Sequence, residues 1–178
     1  LAAELALSGR QPPPSEWRDY LARNPDFERA GVRELVAMAA VPADGGVAGR
    51  SQLVELKVIE GGYSFYGELA LDPARELGEL LSAESTVVAP DLLQRLGLSI
   101  GDELLVGGHP FTVAGTVASE PDRMDGVFTL GPRVFLAAEG LARTDLVSFG
   151  SRSLYRELVK LPADLEAAHV ERIVEDIE

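Results

Sequence analysis

In "SQLVELKVIE", residues 51 to 60, Leu53, Glu55, Lys57 and Ile59 alternate with Gln52, Val54, Leu56 and Val58. The second set is wholly apolar from Val54 to Val58, which predicts a strand covered on that face. "GVRELVAMAAV" predicts a second strand just upstream. Between the two, "PADGGVAGR" combines proline with Gly45, Gly46, Ala48 and Gly49, the composition of a long hairpin loop.

Ahead of this hairpin, "LAAELALSG" reads as a short helix-like run ended by Gly9, followed by a stiff Pro12-Pro13-Pro14 spacer. A helix then starts with Ser15 as its N-cap, and Trp17, Tyr20 and Leu21 at i, i+3, i+4 form its buried stripe. Asn24-Pro25 ends it, because the residue before proline leaves the helical region. Beyond the hairpin, Asp72-Pro73 predicts a cap and first turn for "PARELGELLSA", with Leu77, Leu80 and Leu81 on one face. A strand over Thr86 to Ala89 leads into a short helix from Pro90 to Gly97. "DELLVGGHPFTVAGTV" predicts a hairpin turning at Gly107-Gly108, and strands this short suggest a small barrel-like or sandwich-like lobe. "GPRVFLAAEGLARTDLV" reads as strand then helix, "SRSLYRELVKLP" as a strand, and "ADLEAAHVERIVEDIE" as a helix capped by Asp164. The sequence contains no internal repeat and no low-complexity segment.

Composition narrows the function classes. The 178 residues suffice for one or two domains with a real core, and 46% of them are hydrophobic. Sixteen basic against twenty-nine acidic residues leave a net charge of −13, which repels phosphate backbones and argues against nucleic acid as a partner. Cysteine is absent, so disulfides, thiolate catalysis and Cys-ligated metals are excluded. No apolar stretch in this sequence is long enough to span a bilayer, and no signal peptide is expected within it. The chain starts at Leu1 without methionine and stops within a helical pattern, so a piece of a longer protein is expected.

Candidate chemistry is sparse. His109 sits at the hairpin turn, and His169 lies in an acidic helix without a second ligand at i+4, so neither makes a metal site. No HExxH, GxSxG, phosphate loop or GxGxxG occurs, and "GSRS" around Ser151 and Ser153 lacks a nucleophile's strand–elbow–helix setting. Glu120, Asp122 and Asp125 in "SEPDRMDG" form the best carboxylate cluster, but their spacing fails the calcium-loop template and reads as a solvated loop. Glu171, Glu175, Asp176 and Glu178 read as the wet face of a helix. No catalytic, cofactor or metal site is expected.

"LKVIEGGYSFYGELAL", residues 56 to 71, places Tyr63, Phe65 and Tyr66 between Gly61-Gly62 and Gly67, in a chain with only 6% aromatics. Aromatics between such turns plug the joint where two layers meet, or present a contact to a partner.

"LVELKVIEGGYSFYGEL", "VVAPDLLQRLGLSIGDELLVGGHPFTVAGTVASEPDR" and "LGPRVFLAAEGLARTDLV" together resemble the extracytoplasmic, MacB-like periplasmic core domain of ABC transporter permeases of the FtsX/MacB superfamily, in the YbbP-like branch. The resemblance covers about residues 15 to 178. Relatives tend to carry Gly-Tyr-Pro where this chain has Gly62-Tyr63-Ser64. The resemblance implies an α+β fold of two lobes: an α+β (porter-like) lobe from residues 1–60 and 151–178, and an inserted β-rich (sabre-like) lobe over 61–150. Tyr63, Phe65 and Tyr66 then fall at the inter-lobe joint. It also implies one transmembrane helix before the domain and three after it, a cytoplasmic ATPase subunit, a second permease subunit, and a lipid, lipoprotein or secreted esterase as client. The domain would sit on the periplasmic face of the plasma membrane, without enzymatic activity, and relay ATP-driven motion. Two other readings remain: a stand-alone ligand- or peptide-binding module using the three aromatics, and a small hydrolase using Glu120, Asp122 and Asp125.

Overall fold

A computed structural model describes residues 5–43, 49–63, 69–120, 130–147 and 153–160. Phe65, Tyr66, Asp122, Asp125, Ser151, His169 and the expected C-terminal helix lie outside these residues, as does the tip of the first hairpin loop.

The described chain runs β1 (Leu5–Gly9), α1 (Ser15–Arg23), β2 (Glu28–Ala40), β3 (Ser51–Gly61), β4 (Ala70–Asp72), α2 (Leu77–Leu80), β5 (Ser85–Val88), α3 (Pro90–Leu96), β6 (Glu103–Val106), β7 (His109–Ser119), β8 (Arg133–Ala137), α4 (Ala138–Ala142) and β9 (Leu154–Lys160). The class is mixed α+β, and the nine strands form one hydrogen-bonded sheet, ordered β1-β9-β2-β3-β8-β5-β7-β4, with β6 joined to both β2 and β7.

Because β6 bonds to β2 at one edge and β7 at the other, the strands β2-β3-β8-β5-β7-β6 close into a small barrel. The apolar face of β3 points inward. Val54, Leu56 and Val58 meet Leu35 and Ala37 of β2, Phe111 and Val113 of β7, and Val134 and Leu136 of β8. Leu92, Leu93 and Leu96 of α3 complete this core. Closure pairs β6 with β2, and among the described strands the sheet ends at the short β1 and β4. The barrel draws β2 and β3 from residues 1–60 and β5 to β8 from residues 61–150, so the hydrogen-bond ladder crosses the expected lobe boundary.

A second cluster lies outside the barrel wall, where Val32, Ile59, Val87, Phe135 and Leu158 are covered by Leu77 and Leu80 of α2. A third packs Trp17 and Leu21 of α1 on Val159 of β9. Tyr20 is only partly buried there, stacked on Trp17 with ring centroids 5.7 Å apart.

Three local expectations are corrected. Residues 5–9, read as helix-like, form a strand antiparallel to β9, from Leu5↔Val159 to Gly9↔Tyr155. Pairing with an available edge overrides the weak helical propensity of a run this short. Asp72-Pro73 does not start a helix: Asp72 pairs with Thr116 in β4, and α2 begins only at Leu77. The N-cap of α1 is Pro14 rather than Ser15, with no side-chain cap. By contrast, α3 runs from Pro90 and is closed by Gly97 in the left-handed conformation, and the β6–β7 turn uses positive φ at both Gly107 and Gly108, as read from the sequence. No described helix is long and apolar enough to cross a membrane.

Candidate functional site

The outer face of β3 carries Glu55, Lys57 and Ile59. Opposite Lys57 on β2 stands Glu34, and on its other side β8 places Phe135. Lys57 is only 2% exposed, although its position in the alternation suggested the polar face. Burying an ammonium is costly unless its charge is answered nearby.

Two residues singled out by the sequence for separate reasons answer it. Lys57 Nζ donates to the Glu120 carboxylate, just past the end of β7, and to the Tyr63 hydroxyl at 2.5 Å. The Tyr63 hydroxyl donates in turn to Glu120 Oε1 at 3.3 Å, and its ring centroid lies 4.3 Å from the ammonium. Tyr63 is therefore an inward-facing residue, 9% exposed, that caps an ion pair and packs into the outer cluster beside Ile59 and Val87.

The second carboxylate oxygen of Glu120 accepts from Arg133 Nε at 3.2 Å. Arg133 Nη1 reaches Glu34 Oε1 at 3.3 Å and Glu55 Oε2 at 3.7 Å, and Arg156 Nη2 lies 3.8 Å from Glu34 Oε2. Glu55 Oε1 also accepts the Leu130 N–H at 2.6 Å. Three cations (Lys57, Arg133, Arg156) thus meet three carboxylates (Glu34, Glu55, Glu120) in a neutral network. It ties β2, β3, β8 and β9 to the end of β7.

Burial by itself would push the Glu120 carboxyl up. The Lys57 ammonium, then the Arg133 guanidinium, outweigh it and hold Glu120 below the usual carboxylate range. For Lys57, burial is the largest influence and leaves its pKa below that of an ordinary lysine, with Glu120 offsetting only part of the effect. Each charged group in the network has an ionic partner, and the arrangement fastens strands to one another.

The remaining candidates are dispersed. Ser153 Oγ accepts from Arg33 Nε and Nη2 at 3.1 and 3.0 Å, and lies in a different environment from Glu120. His109 stays at its turn, with Nδ1 3.3 Å from the Gly107 carbonyl oxygen. Among the described residues no three His, Asp or Glu side chains group as metal ligands. Lys57, Arg133, Glu34 and Glu55 were missed as a site. The available signal was a lysine flanked by Leu56 and Val58 in a strand whose Ile59 also had to be buried.

No protein-family model matches the chain. Over 105 residues, 59% of the chain, it is 33% identical to an uncharacterised ABC transporter permease, YbbP, of Escherichia coli strain K12, and it spans only 13% of that protein's length. The fold is that of the periplasmic region of MacB from Actinobacillus actinomycetemcomitans, with a TM-score of 0.62 at 15% identity over 93% of this chain and 72% of that one. A domain of a protein described as a permease from Porphyromonas gingivalis is similar at a TM-score of 0.51 and 11% identity, over 84% and 67% of the two chains. The chain is thus similar in sequence to an ABC transporter permease over part of its length, and in fold to the periplasmic region of MacB over most of it.

Proposed function

We propose that this chain is the extracytoplasmic domain of an ABC transporter permease, and that it relays ATP-driven movement of transmembrane helices to a client outside the membrane. The observation that supports this reading best is the sequence match to a permease, with the MacB periplasmic fold beside it. The partners it requires are a cytoplasmic ATPase subunit and a second permease subunit. The client is a lipid, a lipoprotein or a secreted protein such as an esterase. The domain itself performs no chemistry and sits on the periplasmic face of the plasma membrane.

A relay needs a body that moves without bending. Barrel closure and the Lys57–Glu120–Arg133 network supply that stiffness, because the network ties the β2–β3 hairpin to β8, β9 and the end of β7, which are distant from it in sequence. If residues 1–60 with 151–178 and residues 61–150 work as two lobes, their joint runs through the β3–β8 and β2–β6 ladders, with Lys57 locking it by its bonds to Tyr63 and Glu120.

The test uses the full-length permease with its ATPase in proteoliposomes. Fluorophores on the two copies of this domain should change distance between ATP-bound and ADP-bound states. Unchanged distances during active ATP turnover would sink the relay, and turnover of an ester substrate by the chain alone would sink the non-enzymatic reading.

A further inference from the structure

β2 leaves β6 for β9 along its length, so β9, β2 and β3 continue past the rim of the barrel. The face that lines the barrel interior there becomes the floor of an open cavity of about 520 Å³. That volume and a barrel mouth are both usual for sites that take small molecules. Neither the ion network nor the permease reading uses this cavity.

Its polar floor has two ends. At one, Arg33 of β2 stands opposite Tyr155 of β9, its guanidinium carbon 4.8 Å from the centroid of the tyrosine ring. Arg33 Nε and Nη2 both donate to Ser153 Oγ, and that serine is buried. A guanidinium has five N–H donors. The serine takes one from Nε and one from Nη2, which leaves three, and among the described residues Arg33 has no carboxylate partner. Ring and hydroxyl fix the plane of the fork, the preorganisation that suits it to a carboxylate or phosphate.

At the other end, Glu60 and Glu157 both approach Gly31: a Cβ there would lie 3.6 Å from Glu60 Oε2 and 3.7 Å from Glu157 Oε2. Arg29 Nη1 answers Glu157 Oε1 at 3.9 Å, and Arg18 adds a further positive influence. The floor thus holds three cations (Arg18, Arg29, Arg33) against two carboxylates, one net positive charge in a chain of net charge −13. The acidic end is served by Arg29 and Arg18, so the unanswered charge sits at Arg33. Arg156 also lines the cavity, but its guanidinium pairs with Glu34.

The wall beside this floor is apolar. α4 contributes Ala138, Leu141 and Ala142, Val147 follows at 45% exposed, and Pro12-Pro13 also lines the cavity.

We propose that this cavity binds an amphiphilic anion, with a phosphate or carboxylate head on the Arg33 guanidinium and an apolar tail along Leu141, Ala142 and Val147. The Glu60–Glu157 pair repels the head from the Gly31 end and fixes the ligand's orientation. None of this depends on the domain belonging to a transporter.

The 178-residue chain is titrated calorimetrically with decyl phosphate and decanoate below their micelle concentrations, and with decylamine and inorganic phosphate. Decyl phosphate or decanoate should bind one to one, with decylamine silent and inorganic phosphate at least about tenfold weaker. Arg33→Gln should weaken the amphiphile by about tenfold or more, since it removes a charge-assisted contact. Ala142→Trp, at an exposed position, should do the same by filling the apolar wall while leaving Arg33 in place. Should Arg33→Gln fail to fold, Ala142→Trp decides alone. Preference for decylamine, equal affinity for inorganic phosphate, no binding, or binding that a folded Ala142→Trp leaves unchanged would each overturn the proposal.

Discussion

Lys57 on β3 and Glu120 beyond the end of β7 form an ion pair with side chains only 3% and 4% exposed. Such a pair adds little compared with a well-packed apolar pair, but breaking it leaves one charge stranded. Glu120→Ala strands Lys57 and takes one of three carboxylates from Arg133, and is expected to cost about 3–5 kcal/mol, roughly 10 °C in Tm for a chain of this size. Lys57→Met leaves Glu120 with Arg133 and should cost less. In a double-mutant cycle measured by urea denaturation, the two changes should be strongly non-additive. Additive effects would mean that the pair is not formed in solution.

Tyr63 tests whether the aromatic segment after β3 packs or presents a contact. Removing only its hydroxyl in Tyr63→Phe takes a partner from Lys57 and Glu120 and should cost about 1–3 kcal/mol. Tyr63→Ala also empties the space beside Ile59 and Val87 and should cost about 3–5 kcal/mol. Thermal melts of both variants check this ordering. Equal and negligible shifts would point instead to a surface contact.

Glu120 also shapes the acid limb of stability. Its carboxyl titrates below the ordinary range in the folded chain, so the unfolded chain takes up its proton first as pH falls. The stability it contributes is complete above the ordinary carboxylate range and is lost as pH drops through the depressed folded value. Glu120→Gln should therefore lower stability at neutral pH and flatten its decline below about pH 4.5. Urea midpoints measured across the acid range provide the check, and an unchanged acid slope would count against the buried pair.

Much of the fold was legible because period and punctuation agreed. Val54, Leu56 and Val58 marked the inward face of β3, Pro90 and Gly97 bounded α3, and Gly107-Gly108 set the β6–β7 turn. What failed was decided by partners distant in sequence. Residues 5–9 became a strand because β9 offers an edge, and Asp72 joined β4 because β7 lies beside it. A barrel-like lobe was one of two expectations, but the strands that close it were hidden for the same reason, since closure depends on Ala39 and Ala40 meeting Leu105 and Val106. The network was half visible. Tyr63 and Glu120 stood out by type, but Lys57 read as a solvated strand position, and no local pattern reveals that three elements converge on it.

A close backbone contact offers a test of how tightly the barrel strand β3 is held. A Cβ on Gly131 would come within 2.2 Å of the Leu53 carbonyl oxygen and 2.9 Å of its carbon. Backbone cannot yield as a flexible side-chain end does, so Gly131→Ala must push the start of β8 off β3. That displaces the region where Arg133 meets Glu55. A loss of about 1–3 kcal/mol is expected, the range for overpacking. Amide hydrogen exchange should show the effect, with faster exchange at Glu55, whose N–H donates to the Pro132 carbonyl at 3.0 Å.

Glu157 runs opposite to Glu120. It is buried in the cavity floor, and burial is the main cause of its raised pKa. Arg29 offsets that effect, Glu60 adds to it, and Arg18 offsets it further. The folded chain therefore holds this proton more tightly than the unfolded chain. The resulting stabilisation is complete below the ordinary carboxylate range and disappears as pH rises through the raised folded value. At neutral pH the charged carboxylate is a net burden, because the Arg29 partner is half exposed and its pairing is screened. Glu157→Gln should raise the urea midpoint at pH 7.5, and that gain should vanish by about pH 4. Repeating the titration in Arg29→Gln should enlarge the benefit of Glu157→Gln at pH 7.5, since the carboxylate then loses its nearest cation. A Glu157→Gln effect of equal size at both pH values would show that the carboxyl is solvated in the folded chain, and that the floor around Gly31 is more open than this structure has it.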